Sequence, residues 1–516
     1  MAADVSLIAV SLAAAAMIVA PTTRARAWLM LVSIVLSPAL LLAHVAGADQ
    51  LEGISGRAEL LAGSAVVAVG VALLLAWWFH RVPGAFPLAV VVTLPFRIPV
   101  SIGGATASLL LPLYLVVAGG AIAWTVPRLR GGEPPHGPSP GDGRSVGGLE
   151  WALAAVLVLY SVQSAWSSDP DRALENVLFF YVPFAVGYVL LSRFDWTPRM
   201  AARVLAVLAA LAVALTSIGF VEFATRQLLL NPKVIAANQV NDYFRVNSLF
   251  FDPNIFGRFL AIVIVLLVAW ICWERRQKAV AAGALVVAFL FGGLLTTLSQ
   301  SSYAALLAGL AMLAALRWSV RWTVAVVAVA AVVAAAGLVA GTGLLQGGDE
   351  ASRLTSGRSA LVTGGVELFA ERPFTGWGAG SFAREYRAAE NVSAARAASA
   401  SHTIPVTVAA EQGVVGLVAY LVLLFFAFSR CLRGIRRARS PGIRVAIAAA
   451  FTALVVHTLV YAAFLEDPLT WVLLAAATAF GAAASRRGEE AEPGTARPAP
   501  GPSSAGDEPA AAPGAP

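Results

Sequence analysis

The sequence predicts an all-α polytopic membrane protein, a bundle of about 12–15 transmembrane helices capped by an external helical loop. Three observations predict it. Of 516 residues, 59% are hydrophobic and only 13% charged, with a mean hydropathy of +0.78, whereas soluble domains are roughly a quarter charged. Apolar runs long enough to cross a bilayer recur along most of the chain. The 36 Lys and Arg fall in short clusters between those runs rather than in one patch, so the net charge of +7 reads as a topology signal and not as a nucleic-acid surface. This composition excludes a soluble enzyme, a disordered scaffold and a disulfide-stapled secreted domain. Cys272 and Cys431 are too few for a disulfide framework or a cysteine metal site and read as reduced and structural.

In chain order the candidate spans are residues 4–20, 27–46, 59–79, 85–100, 107–125, 150–166, 176–192, 201–222, 254–273, 279–297, 300–316, 323–343, 404–430, 445–464 and 469–485. The weakest, 85–100, carries Arg97 among prolines and reads as a span or a re-entrant segment. The first lacks a basic n-region and reads as an anchor rather than a cleaved signal. With the N-terminus outside, 23 of the 36 cations lie in cytoplasmic connections and 12 outside, six of those in one long loop. That asymmetry is what the positive-inside rule requires. The chain divides into N-terminal spans (1–130), a Gly/Pro-rich cytoplasmic linker (131–149), central spans (150–343), a large external loop (344–403), C-terminal spans (404–485) and a disordered cytoplasmic tail (486–516).

Two external connections, 225–254 and 344–403, are too long to be turns, and long loops in compact bundles are usually functional. The second holds a density of charge found nowhere else outside, and its stretches SGRSALVTGGVELFAERP and SFAREYRAAENVSAARAASA read as helices that cap the bundle. Asp252-Pro253-Asn254 has the pattern of a helix start, with Asp at the N-cap and Pro at the first helical position. Arg258, about one turn deeper, is an intramembrane charge that calls for a role or a partner. The glycines of PFTGWGAGSF read as loop shaping, since they lack the strand and helix of a nucleotide loop. His44, His80, His136 and His457 are scattered rather than clustered for a metal.

The strings RVNSLFFDPNIFGRFLA (245–261), SGRSALVTGGVELFAERPFTGWGAGSF (356–382) and SHTIPVTVAAEQGVVGL (401–417) resemble, in order, spacing and membrane context, the O-antigen ligase and O-antigen polymerase superfamily. The resemblance spans about residues 150–480. One departure is Ser299-Gln300-Ser301, where family members often place an arginine after the serine. The resemblance implies transfer of a glycan from a polyprenyl (undecaprenyl) diphosphate carrier to an acceptor hydroxyl, without a metal, cofactor or nucleotide sugar. It implies His402 as the catalytic base, with Arg245 and Arg358 as donor diphosphate-binding residues. Arg258 adds to that phosphate site, and Arg353 is a substitute for Arg358.

The residue types suit that chemistry. Histidine accepts a proton near neutral pH, and the guanidinium fork matches phosphate oxygens. Glu411 supports the site by orienting His402 or the acceptor, or else marks the membrane interface; Asn254 is a helix-start residue first and pocket lining second. The expected partners are the lipid-linked glycan, a glycan-acceptor molecule and membrane lipids, with no nucleic acid. The expected location is the cytoplasmic membrane, with the active loop extracytoplasmic and the C-terminus cytoplasmic. Ligase and polymerase differ only in acceptor, and the sequence leaves both open. A transporter or flippase without chemistry is the rival class; it predicts repeated halves with mid-membrane polar groups, and no matching halves are visible.

Overall fold

The computed structural model describes residues 2–46, 57–102, 105–131, 145–230, 234–235, 238–239, 243–329, 358–390, 401–435 and 440–490. The linker expected at 131–149, the C-terminal tail and large parts of the 344–403 loop, Arg353 included, lie outside these residues. The fold is all-helical apart from one hairpin. In order the helices are α1 (Ala2–Val19), α2 (Thr23–Ala46), α3 (Arg57–Arg81), α4 (Ala85–Thr93), α5 (Leu111–Leu129), α6 (Gly148–Gln163), α7 (Pro170–Asn176), α8 (Val182–Ser192), α9 (Pro198–Thr225), α10 (Pro253–Trp273), α11 (Gln277–Thr297) and α12 (Gln300–Arg317). There follow α13 (Val320–Val329), α14 (Arg358–Glu371), α15 (Phe382–Glu390), α16 (Ile404–Leu432), α17 (Pro441–Thr458) and α18 (Pro468–Glu490). Among the described residues, ten helices are long and apolar enough to cross a membrane. In α1, α13 and α18 the apolar stretch is shorter.

The expected span at 85–100 is not one helix. α4 has nine residues, about 13.5 Å of rise, less than half a hydrocarbon core. Pro95 and Pro99 cannot continue a helical ladder, and the chain turns into an antiparallel hairpin, β1 (Ile98–Ile102) with β2 (Ala105–Leu109), paired from Ile98 opposite Leu109. The expected span at 445–464 is also shorter, because α17 ends at Thr458 and leaves residues 459–467, apolar up to Glu466 and Asp467, as a turn before α18.

Alternating helix direction gives the bundle two unlike ends. At one end lie the turns after α1, α3, α8, α10, α12 and α16, and here arginines lie over tryptophans: Arg81 over Trp77 at 4.6 Å, Arg128 over Trp124 at 4.2 Å and Arg317 over Trp273 at 5.2 Å. Arg430 joins Glu150 there at 2.9 Å. Cations beside aromatic rings at helix ends are how side chains settle at a membrane interface. The opposite end carries the hairpin, the α9–α10 connection, the α17–α18 turn and the capping helices α14 and α15. The core between them is apolar and continuous, from Leu7 and Met17 of α1 to Trp471 and Leu474 of α18. The outward faces are apolar as well, with Val66, Leu285, Leu307 and Phe425 exposed, the pattern of a bundle solvated by lipid.

Candidate active site at the loop end

Three features aim His402. Ser401 is fully buried; its hydroxyl lies 2.9 Å from that of Thr407, which also accepts from the Ser401 amide at 3.1 Å. That pair fixes the turn ahead of α16. His402 itself has φ +61, a left-handed conformation that a non-glycine residue holds only when its surroundings impose it. Its imidazole, half-buried, rests on the ring of Tyr461 in the α17–α18 turn, with centroids 5.9 Å apart. On its other side Tyr461 meets His457 edge-on at 5.5 Å. Asp252 faces the Tyr461 hydroxyl, and burial foremost, then that carboxylate, push the phenol's pKa up. Tyr461 therefore stays protonated.

From His457 the network runs through serines to Arg245. The fully buried His457 places Nε2 3.2 Å from the Ser301 hydroxyl and 3.4 Å from that of Ser302. Ser299 lies 2.7 Å from Ser302 and donates to Asn254 Oδ1 at 2.9 Å. The same Oδ1 accepts from Arg245 Nη2 at 3.1 Å, while Arg245 Nε donates to the Thr297 carbonyl at 2.9 Å. Among the described residues Nη1 makes no hydrogen bond. Helices α10 and α12 approach closely enough for this because residue 257 is glycine: a Cβ there would sit 2.5 Å from the Ser302 hydroxyl. Asp252 caps α10, accepting from the Asn254 amide at 2.6 Å, as its place before Pro253 predicts.

Arg258 has the partner its position demands. Its guanidinium is 0% exposed, forms an ion pair with Asp467 and donates to the Ala463 carbonyl at 3.2 Å. This internal pair pins the α17–α18 turn to α10, and it is where the structure places the arginine expected to add to the phosphate site. Asp467 and Arg258 also act electrostatically on Arg97, which the α4–hairpin segment brings to this cluster.

Glu411 is engaged away from His402. Gly413, at φ +66, breaks the helical path of α16 and frees backbone groups on both sides of the break. The PFTGWGAGSF loop takes them up: the amides of Trp377 and Gly378 donate to the carbonyls of Ala410 and Glu411 at 3.1 and 2.8 Å, and the Val414 amide donates to Pro373 at 2.7 Å. Gln163 Nε2 reaches the Gln412 carbonyl at 3.1 Å. The buried Glu411 carboxyl accepts from the amides of Gly380 at 3.0 Å and Phe382 at 3.1 Å, a cap at the start of α15. Glu411 thus ties the cap to α16 through these two amides, at a position expected to orient His402 or the acceptor, or else to mark the interface. Arg358 begins α14, and its side chain lies outside the described residues.

The fold thus brings His402, Asn254, Arg245 and Arg258 into one polar cluster, through residues that reading the sequence did not single out for it: Tyr461, His457, Asp467, Arg97 and the serines of 299–302. One signal was available. Two arginines inside apolar stretches require counter-charge, and Glu466-Asp467 are the only acidic residues between the two C-terminal spans. Residues 285–421 match the family model described as O-antigen ligase, which supports that superfamily for the chain. The matched segment contains Arg358, His402 and Glu411, and leaves Arg245, Asn254 and Arg258 upstream. A search of curated proteins returns no match to the chain.

Proposed function

We propose, for a chain that carries an O-antigen ligase domain over residues 285–421, that this protein transfers a glycan from a polyprenyl diphosphate carrier to an acceptor hydroxyl. The observation that carries the reading is the polar network from His402 to Arg245, buried at one end of an otherwise apolar bundle. In this reading His402 accepts the proton of the acceptor hydroxyl as its oxygen bonds to the anomeric carbon. The bond from that carbon to the diphosphate breaks with inversion, and its electron pair leaves on the diphosphate oxygen. Arg245, pre-oriented by Thr297 and Asn254, and Arg358 at the start of α14 hold the departing charge. The step uses no metal and no nucleotide sugar. Polymerisation is the same chemistry with a second carrier-linked glycan as acceptor. The clustering of cations at the opposite end supports a cytoplasmic arginine end, an outside N-terminus and an extracytoplasmic active site in the cytoplasmic membrane.

The test is the level of carrier-linked glycan in cells producing wild type, His402→Ala and Arg358→Ala at matched membrane abundance. Donor accumulation with loss of transferred product in both variants is expected. Normal transfer by both would overturn the proposal in favour of a transporter or scaffold.

A further inference from the structure

The base and the diphosphate-binding arginine of the candidate site stand on different elements, His402 just ahead of α16 and Arg245 in the connection before α10. His457 lies between them, 0% exposed in the last turn of α17. Its ring meets Tyr461 edge-on at 5.5 Å, and Tyr461 in turn backs the His402 imidazole. Its Nε2 lies 3.2 Å from the Ser301 hydroxyl and 3.4 Å from that of Ser302. From there Ser302 donates to the Asn254 carbonyl at 3.3 Å, and Ser299 joins Ser302 to Asn254 Oδ1, the acceptor of Arg245 Nη2. One imidazole therefore touches both what stands behind the base and what orients the guanidinium.

The surrounding helices are shaped to allow this. A Cβ on Gly309 of α12 would come 2.7 Å from the Val265 side chain of α10, 3.0 Å from Ala453 Cβ and 3.1 Å from the Ala449 carbonyl oxygen of α17. Ala453 lies one turn before His457 on the same face, and Ser301 and Ser302 lie about two turns before Gly309 on theirs, so this close approach delivers Nε2 to the serines. The residue type is also what the two contacts require. Phenylalanine would meet Tyr461 but leave two buried hydroxyls without the nitrogen, and glutamine would reach the hydroxyls but offer no ring. Packing alone would be served by an apolar side chain, whereas an ionisable one within an apolar span is costly.

We propose that His457 is a positioning residue of the transfer site: its ring fixes Tyr461 behind His402, and its Nε2 fixes the serines that orient Arg245 through Asn254. Base and guanidinium are thereby held at one spacing. The proposal rests on the glycan-transfer reading.

The two contacts can be removed separately. The purified full chain in proteoliposomes, given carrier-linked glycan and acceptor, yields donor KM and kcat for wild type, His457→Phe and His457→Gln, with His402→Ala as the control for the reading itself. His457→Phe, which keeps the ring and loses the nitrogen, should raise donor KM about tenfold with kcat within about twofold. His457→Gln, which keeps a polar atom near Nε2 and loses the ring, should lower kcat about tenfold with donor KM within about twofold. Ser299→Ala cuts the arginine arm without touching His457 and should reproduce the rise in KM, which carries the test if His457→Phe does not fold. Among the variants that fold, wild-type kinetics in any one, or equal losses in both parameters throughout, overturns the proposal; equal losses are what a merely structural histidine would give. Wild-type turnover by His402→Ala overturns the transfer reading, whereas wild-type turnover by the His457 variants with His402→Ala inactive overturns the positioning role alone.

Discussion

His402 combines two requirements that pull against each other at one residue. Its left-handed backbone favours glycine or asparagine, yet the chain places there an imidazole packed on Tyr461. His402→Asn should therefore fold as wild type does, since asparagine tolerates this backbone, while transfer falls by about 10²–10⁴-fold, the range for removing a general base; thermal unfolding and a transfer assay on the same preparation check both halves. Arg258 behaves in the opposite way. Removing one partner of a buried ion pair strands the other charge, so Asp467→Asn should cost about 3–5 kcal/mol of stability. The double variant Arg258→Met/Asp467→Leu should recover part of that loss in the same denaturation assay, because it leaves no unpaired Arg258 charge, while Arg97 and the Leu469 amide still lose Asp467. If the double variant is no more stable than Asp467→Asn, the pair is not what holds the turn. The sequence marked Arg258 as a costly charge but not its partner, because the 205 residues between Arg258 and Ala463, and the few more to Asp467, are bridged only by the fold.

At the scale of elements, the break in α16 and the loop from Pro373 to Phe382 are one construction. The helix gives up its own hydrogen bonds at Gly413, and the loop restores them. Gly376 sits tightly in it: at φ +65, a Cβ would come 2.2 Å from the Glu411 carbonyl oxygen. Gly376→Ala should cost at least about 1–3 kcal/mol from the backbone conformation alone and detach the cap, seen as faster amide exchange at Trp377 and Gly378. Glu411→Ala should cost about 1–3 kcal/mol for each of the two amides it leaves unpaired. Wild-type exchange rates in either variant would mean the loop is held by something else. The glycine run was legible as loop shaping, since its composition admits little else. What the loop shapes itself against was not legible: Glu411-Gln412-Gly413 lies inside a run long and apolar enough to read as one span, and only the backbone angle at Gly413 shows that the helix is broken. For the same reason 85–100 read as a span, because α4 and β1 are equally apolar and periodicity does not report where the prolines end the helix.

Across the whole molecule the two ends divide the labour. One end gathers Arg81, Arg128 and Arg317 over tryptophans and the Arg430–Glu150 pair, and the other end collects the polar network, the hairpin and the cap. In a chain with Cys272 and Cys431 replaced by serine, an impermeant thiol reagent added outside intact cells should label Phe374→Cys, where the native side chain is 73% exposed, and spare Arg275→Cys in the α10–α11 turn. Labelling in the reverse order would invert the orientation. The bundle and its two unlike ends were legible because hydropathy and charge clustering act over whole segments. The candidate site was legible only in part: His402, Arg245 and Asn254 stand in recognisable strings, whereas Tyr461 and His457 stand in an apolar segment with no local pattern to set them apart. The most direct measurement of the central claim is donor consumption by the purified chain in proteoliposomes given carrier-linked glycan and acceptor. Wild type is compared with His402→Ala and Arg245→Ala. Both variants should turn over donor at least about 100-fold more slowly while unfolding at the wild-type temperature; turnover at the wild-type rate by either would contradict the assignment of this network as the site of transfer.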